Sequence, residues 1–435
     1  MKTQKQKTII IVLGIIVLLL IIFGHKLVRR YQAPAQITIW GTEMSQEVFS
    51  ELWNTMEPSL KNVVVTYVEK NPNTYQDDLE RAFIDGNSPD IFMIKNYDLG
   101  IYKNLITPYD LLNNSQYSLK QLRDDFPATL EEDLVWDNKL YGLPLSLDNL
   151  ALYYNRTILD QLNIPTPPKT WEEIISWLPQ LRTVDQYQRI TRAAIPLGLA
   201  SNINHFDDIL SLIMMQYGAK MTNNTKTGVD FNITSYLQAQ SIVPGVEALK
   251  FYAQFAMPSS KLYTWHNGFS SSLDAFAFGQ SVLYLGYSRD RKAILEKNPN
   301  INFGISAFPQ FLYSPNKLSF ASYDALTVSS QSKHPDIAWN IIKNLTSYTS
   351  ALKYMQLTKN PPALRSLLNL CYQDPDLVTF CQQALISHNW YRPDSQKVKL
   401  IFQEMINDVT IKNINPREAV NKAASAINAL FQITK

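Results

Sequence analysis

The sequence predicts an α/β protein built around a parallel layer, and three observations carry that reading. Between residues 37 and 94 the apolar pattern alternates strand, helix, strand, helix, strand, the order that lays parallel strands side by side with helices on their faces. Hydrophobic residues make up 46% of the 435 and charged residues 18%, which supplies a large core and excludes a disordered chain. Only one long apolar run exists, Ile9 to Phe23, so a polytopic membrane protein is excluded.

That first run decides the compartment. With Thr8 and Gly24 the uncharged segment is 17 residues and spans about 26 Å as a helix, the short end of what a bilayer core needs. Lys7 and Lys26 can snorkel to make up the difference. A cleaved signal would need small residues close behind the run, and Ala33-Pro34-Ala35 is separated from it by His25-Lys26-Leu27-Val28-Arg29-Arg30. The expectation is an uncleaved single-pass transmembrane helix over 8–24 and a linker over 25–36. The body lies extracytoplasmic at the cell membrane. Six of the 40 Lys+Arg lie in the first 30 residues, leaving the rest mildly acidic against 38 Asp+Glu. Such a body is a poor partner for nucleic acid. Cys371 and Cys381 are the two cysteines; ten residues apart, they form a disulfide in an oxidising compartment or remain buried thiols.

The elements come in order. Ile37-Thr38-Ile39-Trp40 alternates as a strand and stops at Gly41. Ser45 caps a helix that turns Val48, Phe49, Leu52, Trp53 and Met56 to one side. Val63 to Val68 is the next strand, Thr74 to Asp85 the next helix, and Ile91 to Ile94 a short buried strand. Ligands of such sheets sit beyond the carboxyl ends of the strands, which directs attention to Trp40-Gly41-Thr42 and Lys95-Asn96-Tyr97. Further along, 150–154 reads as a strand and Thr170-Trp171-Glu172-Glu173 as a capping box. Residues 206–216, 235–255 and 335–355 read as helices, with strands at 282–285 and 301–305. A last helix opens at Asn415-Pro416.

Catalytic and metal motifs are missing. The five histidines are dispersed, and there is no His-Glu-x-x-His, G-x-S-x-G, Walker loop or Cys-x-x-Cys. No cofactor or metal is expected, and an exported α/β chain of this kind favours binding over catalysis. Paired carboxylates meet only in the fold, so a glycan hydrolase using Asp148 and Glu43 stands as the alternative.

Several stretches, in order, resemble the carbohydrate-type extracellular solute-binding proteins of ABC transporters. The strongest runs from Tyr141-Gly142-Leu143-Pro144 through Asp148 to Leu152-Tyr153-Tyr154-Asn155, followed by Pro167-Pro168-Lys169-Thr170-Trp171-Glu172-Glu173. Ile37 to Trp40, Ser88-Pro89-Asp90-Ile91-Phe92, Phe276 to Gln280 before Gly286-Tyr287-Ser288, Ser332 to Trp339 and Asn360-Pro361-Pro362-Ala363 add to it. Two departures stand out: Gly286-Tyr287-Ser288 replaces the Gly-x-Trp of many members, and Ala321-Ser322-Tyr323-Asp324 replaces a glycine pair.

The resemblance implies a two-lobed periplasmic-binding-protein fold, type II-like. Lobe I is expected over 37–148 plus 304–330, and lobe II over 149–303 plus 331–435. It implies hinge closure on a sugar or oligosaccharide and delivery to an ABC permease, with chain crossings near 148–150, 303–305 and 329–332. Rings would stack on sugar faces, and carboxylates, amides and arginine would bond hydroxyls. The expected stacking residues are Tyr97, Tyr287, Tyr323 and Trp390, with Trp40 divided between ligand and core. The expected polar contacts are Glu43, Asn96, Ser146, Asp148, Asn204, His205, Asp324 and Arg392.

Overall fold

The computed structural model describes residues 34–433 apart from 57–59, 61–62, 113–116, 238–239 and 315. The expected transmembrane helix and most of the linker lie outside the described residues. Among those described, no helix is long and apolar enough to cross a membrane.

The alternating stretch at the start folds as its pattern demands. Strands Gln36–Gly41, Val64–Glu69 and Ile91–Lys95 are parallel, with the first in the middle. Helices Gln46–Trp53 and Tyr75–Ile84 connect them, and Ser45 Oγ accepts the Val48 N–H at the first helix start. Asp324–Val328 joins antiparallel to Ile91–Lys95, and Leu143–Pro144 completes a five-stranded sheet. Ile39, Leu79 and Phe92 are fully buried in this first core, each worth about 1.5–3 kcal/mol of transfer free energy. Gly41 ends the first strand where a Cβ would lie 2.7 Å from the Tyr67 hydroxyl, which itself donates to Met44 O across the turn.

A second core forms around Ala151–Asn155, which pairs antiparallel with Leu283–Gly286 and Phe303–Ala307. Helix Trp171–Leu181 opens with the expected capping box, Thr170 and Glu173 satisfying each other's backbone N–H. Helices Phe206–Gln216, Pro244–Gln254, Ser395–Thr410 and Pro416–Ile433 pack in the same lobe. The helix expected over 235–255 is shorter. Ser235–Leu237 and Gln240–Ile242 form a hairpin, because Pro244 lacks an N–H and fixes the first turn at that point. The helix expected over 335–355 is two, Pro335–Leu345 and Tyr348–Thr358, separated at Thr346 and Ser347.

The chain changes core at three places, and these differ from two of the crossings expected. The cores part between Leu147 and Leu150, between Phe320 and Ala321, and between Ala384 and Trp390. The strands at these points, Asp148–Asn149, Ser319–Ser322 and Ser387–His388, pair with one another as a small three-stranded sheet. Residues 303–305 belong to an edge strand of the second lobe's sheet, and 329–332 come after a strand of the first. The expected lobes are corrected in two places. Residues 304–320 pack with the second lobe, where Phe308 and Phe311 surround Trp171. Residues 335–377 pack with the first, because the return crossing at 321 delivers Ala338, Ile341 and Ile342 to its core, while Phe380 and Gln383 of the next helix reach the second lobe's sheet.

Cys371 and Cys381 are joined as a disulfide, Cα atoms 6.3 Å apart, both buried in the first core. A loop of this length closed in the unfolded chain is worth about 2–3 kcal/mol. The Cys371→Ala/Cys381→Ala pair is therefore expected to lower unfolding free energy by at least that amount in urea titrations. No loss would show that the bridge constrains nothing.

Candidate functional site

A cavity of about 370 Å³ lies between the two cores, with walls from both. Its first-lobe wall stands where parallel strand ends and an antiparallel strand start coincide. Glu43 comes just after Gln36–Gly41, Lys95 ends Ile91–Lys95, and Asp324 opens the strand paired to it, with Asp324 opposite Lys95. Lys95 Nζ donates to Glu43 Oε1 at 2.8 Å and to Asp324 at 2.9 Å. Burial works against the Glu43 charge, yet Lys95, a hydrogen bond with Asp324 and the facing Arg289 hold its carboxyl well below the usual range. Burial and then the Glu43 charge push Asp324 up to about 8, against the pull of Lys95. The pair thus holds one proton near neutral pH. Asp98 lines the same wall, and burial pushes it up to about 6.

The second-lobe wall is organised around one arginine. Asp207 and Asp208 stand in the first turn of Phe206–Gln216, where the helix dipole favours anions. Arg392 arrives from the segment after the third crossing and donates to Asp207 at 3.0 Å and Asp208 at 2.6 Å. Burial and the neighbouring Asp208 raise Asp207; on Asp208 burial is outweighed by Arg392, which holds it below the ordinary value. The Arg392 guanidinium also lies 4.5 Å from the Tyr97 ring of the first lobe, so it links the walls. Its Nε–H is buried with no hydrogen-bond partner among the described residues. His205, in the left-handed region at φ 57°, bonds Asp290 at 2.9 Å, and this contact holds Asp290 at about 2 despite its burial.

The structure brings five of the expected residues to this cavity: Glu43, Tyr97, His205, Asp324 and Arg392. The others are elsewhere, each with a partner that explains it. Asp148 sits in the crossing strands, where its carboxylate accepts the N–H groups of Ser288 and Arg289. It does not line the cavity, so the two-carboxylate hydrolase reading loses one of its pair. Tyr287 is fully buried, its hydroxyl donating to Asp208 at 2.8 Å behind the wall. Trp390 is buried with its Nε1–H on Ser211. Asn96 and Tyr323 both donate to Asp133 Oδ2, at 2.7 and 2.9 Å. Asn204 accepts from Ser272, Ser146 bridges to Pro362, and Trp40 carries Lys70 Nζ 4.2 Å from its ring.

Sequence reasoning missed Lys95, Asp207, Asp208 and Arg289. Lys95 had a signal, a cation ending an apolar strand at the indicated sheet edge. The aspartates read only as helix-start acids. Arg289 gains its place from Asp148, which accepts its backbone N–H and whose Oδ2 lies 3.8 Å from its guanidinium.

Two outcomes test these arrangements. Arg392→Met leaves two buried carboxylates without their cation and is expected to cost about 3–5 kcal/mol in chemical denaturation. Burial pushes Asp133 up to about 7. A carboxyl whose folded value exceeds its unfolded value of about 4 holds its proton where the unfolded chain has released it. Its stabilising contribution is therefore complete below pH ~4 and lost as pH rises through about 7. Asp133→Asn should lessen the fall in unfolding free energy across that window, and an unchanged slope would contradict the assignment.

Comparison with known proteins accords with this geometry. The family model described as bacterial extracellular solute-binding protein matches residues 57–377. The galactooligosaccharide-binding protein of Bacillus subtilis is 22% identical over 83% of this chain and 82% of its own. The multiple sugar-binding protein of Streptococcus mutans is 22% identical over 72% and 73%. Among solved structures, the cyclic α-maltosyl-1,6-maltose binding protein from Arthrobacter globiformis superposes with a TM-score of 0.75 at 18% identity, covering 92% of this chain and all of that one. The two-lobed fold with a polar cavity between its halves, together with a family match across most of its length, places this chain in the bacterial extracellular solute-binding protein family.

Proposed function

We propose that this protein captures a small sugar or oligosaccharide between its lobes and delivers it to an ABC permease, held at the membrane by residues 8–24. The observation that carries the reading is the polar cavity whose walls come from both lobes. A ligand contacting both walls favours the closed arrangement and shifts the population toward it. Gln76 of the first lobe and Gln396 of the second meet at 2.7 Å at the cavity, a contact that opening breaks. The names of the relatives add support, since both are called after sugars they bind. Tethering would raise the effective concentration of the closed form at its permease.

The test is a thermal-shift screen of the full chain in mild detergent against mono- and oligosaccharides. A matching ligand at 100 times its Kd adds about 2.7 kcal/mol, a rise of several degrees. Small-angle scattering of the same complex should show compaction relative to the free protein. A broad panel producing neither shift nor compaction would overturn the reading.

A further inference from the structure

We propose that the ligand of this cleft carries a protonated amine seated against the Glu43–Asp324 carboxylate pair, so that the sugar it takes is an amino sugar. This rests on the sugar reading above and narrows it. The first-lobe wall presents Glu43, Asp98 and Asp324 with Lys95 as its own cation. Lys95 is shared, 2.8 Å from one carboxylate and 2.9 Å from the other, so two carboxylates with a single lysine are one positive charge short. Asp324 carries a proton to relieve it, since burial and Glu43 push its carboxyl up to about 8. The groups facing the pair are Lys95 and, from the second lobe, Arg289, whose guanidinium is held by Asp148 and lies 4.2 Å from the Tyr287 ring. An arriving ammonium gives the pair a second cation; the shared proton leaves to solvent. On the opposite wall Asp207 and Asp208 likewise share one arginine.

The aromatic lining points the same way. Tyr75, Tyr97 and Tyr102 are the rings at the cavity, and no tryptophan lines it among the described residues. Tyrosine faces attract cations. One face of Tyr97 is already taken by Arg392. The lining holds five carboxylates against the four cations Lys95, Arg289, Arg392 and Lys399, so an anionic sugar would add to the larger side. The volume, about 370 Å³, is at the small end of ligand pockets.

The experiment is calorimetric titration of the full chain in detergent at pH 7. The probes are glucosamine, galactosamine and the glucosamine disaccharide, their N-acetylated and hydroxyl counterparts, and putrescine as an amine without a sugar. The amino sugars should bind 10- to 100-fold tighter than either counterpart, the discrimination of one charge-assisted hydrogen bond. Glu43→Gln should erase that preference with an unchanged circular dichroism spectrum, and Asp324→Asn should do the same if Glu43→Gln unfolds. Equal or tighter binding of the neutral sugars overturns the amine inference and leaves the sugar reading standing. Putrescine binding without any sugar does the reverse. A preference that survives both substitutions, or no binding by any probe, overturns the inference.

Discussion

Two hydrophobic cores that meet through three short strands are the constraint on which the rest of this structure depends. Asp148–Asn149, Ser319–Ser322 and Ser387–His388 are two to four residues each, and they pair with one another at the point where the chain leaves one core for the other. Close-packed cores resist deformation, whereas a narrow strap bends through small changes in a few backbone angles. Any movement of one lobe against the other would thereby be concentrated in the strap. Asp148 ties that strap to the cleft: it accepts the N–H groups that begin the Arg289 turn, so the position of the arginine moves with the hinge.

The charges of the cleft belong to the same logic. A buried ion pair contributes little net stability, since desolvation offsets most of its Coulomb gain. Four carboxylates sharing Lys95 and Arg392 are a poor way to hold lobes together and a good way to select what lies between them. Each wall is anchored in its own lobe by backbone geometry, the first by strand ends and the second by a helix start. The groups are therefore in place before a ligand arrives. Closure excludes water and strengthens every interaction made there.

How much of this was legible in the sequence depends on whether the cause is local. The strand ends at Gly41 and Lys95 were, because strand periodicity and a terminating glycine lie within a few residues, and Glu43 and Tyr97 come directly after them. The capping box at Thr170 was legible for the same reason. Tyr287 and Trp390 were not. Their exposure is set by Asp208 and Ser211, 79 and 179 residues away, which give each polar tip a buried partner. The lobe of residues 335–377 was equally hidden. An amphipathic helix such as Pro335–Leu345 shows that it has a face to bury, but which core receives it depends on the crossing at 321.

The Gly286-Tyr287-Ser288 turn directs an aromatic ring away from the cleft. A side chain on Gly286 would strike the Asp290 carboxylate, and this closeness lets Asp290 accept the Tyr287 N–H at 3.0 Å. The turn thereby sends the Tyr287 ring inward and Arg289 toward the cleft, where its charge reaches Glu43. Ser288, the residue after Tyr287, is buried as well. The wall there presents the fixed charge of Arg289 where that ring is withdrawn. An apolar surface tells one sugar from another weakly, because a missing hydroxyl leaves nothing unpaired. A buried carboxylate left without its partner does carry a penalty. By that penalty, a cleft lined by five carboxylates and four Lys and Arg side chains would select its ligand by charge before shape.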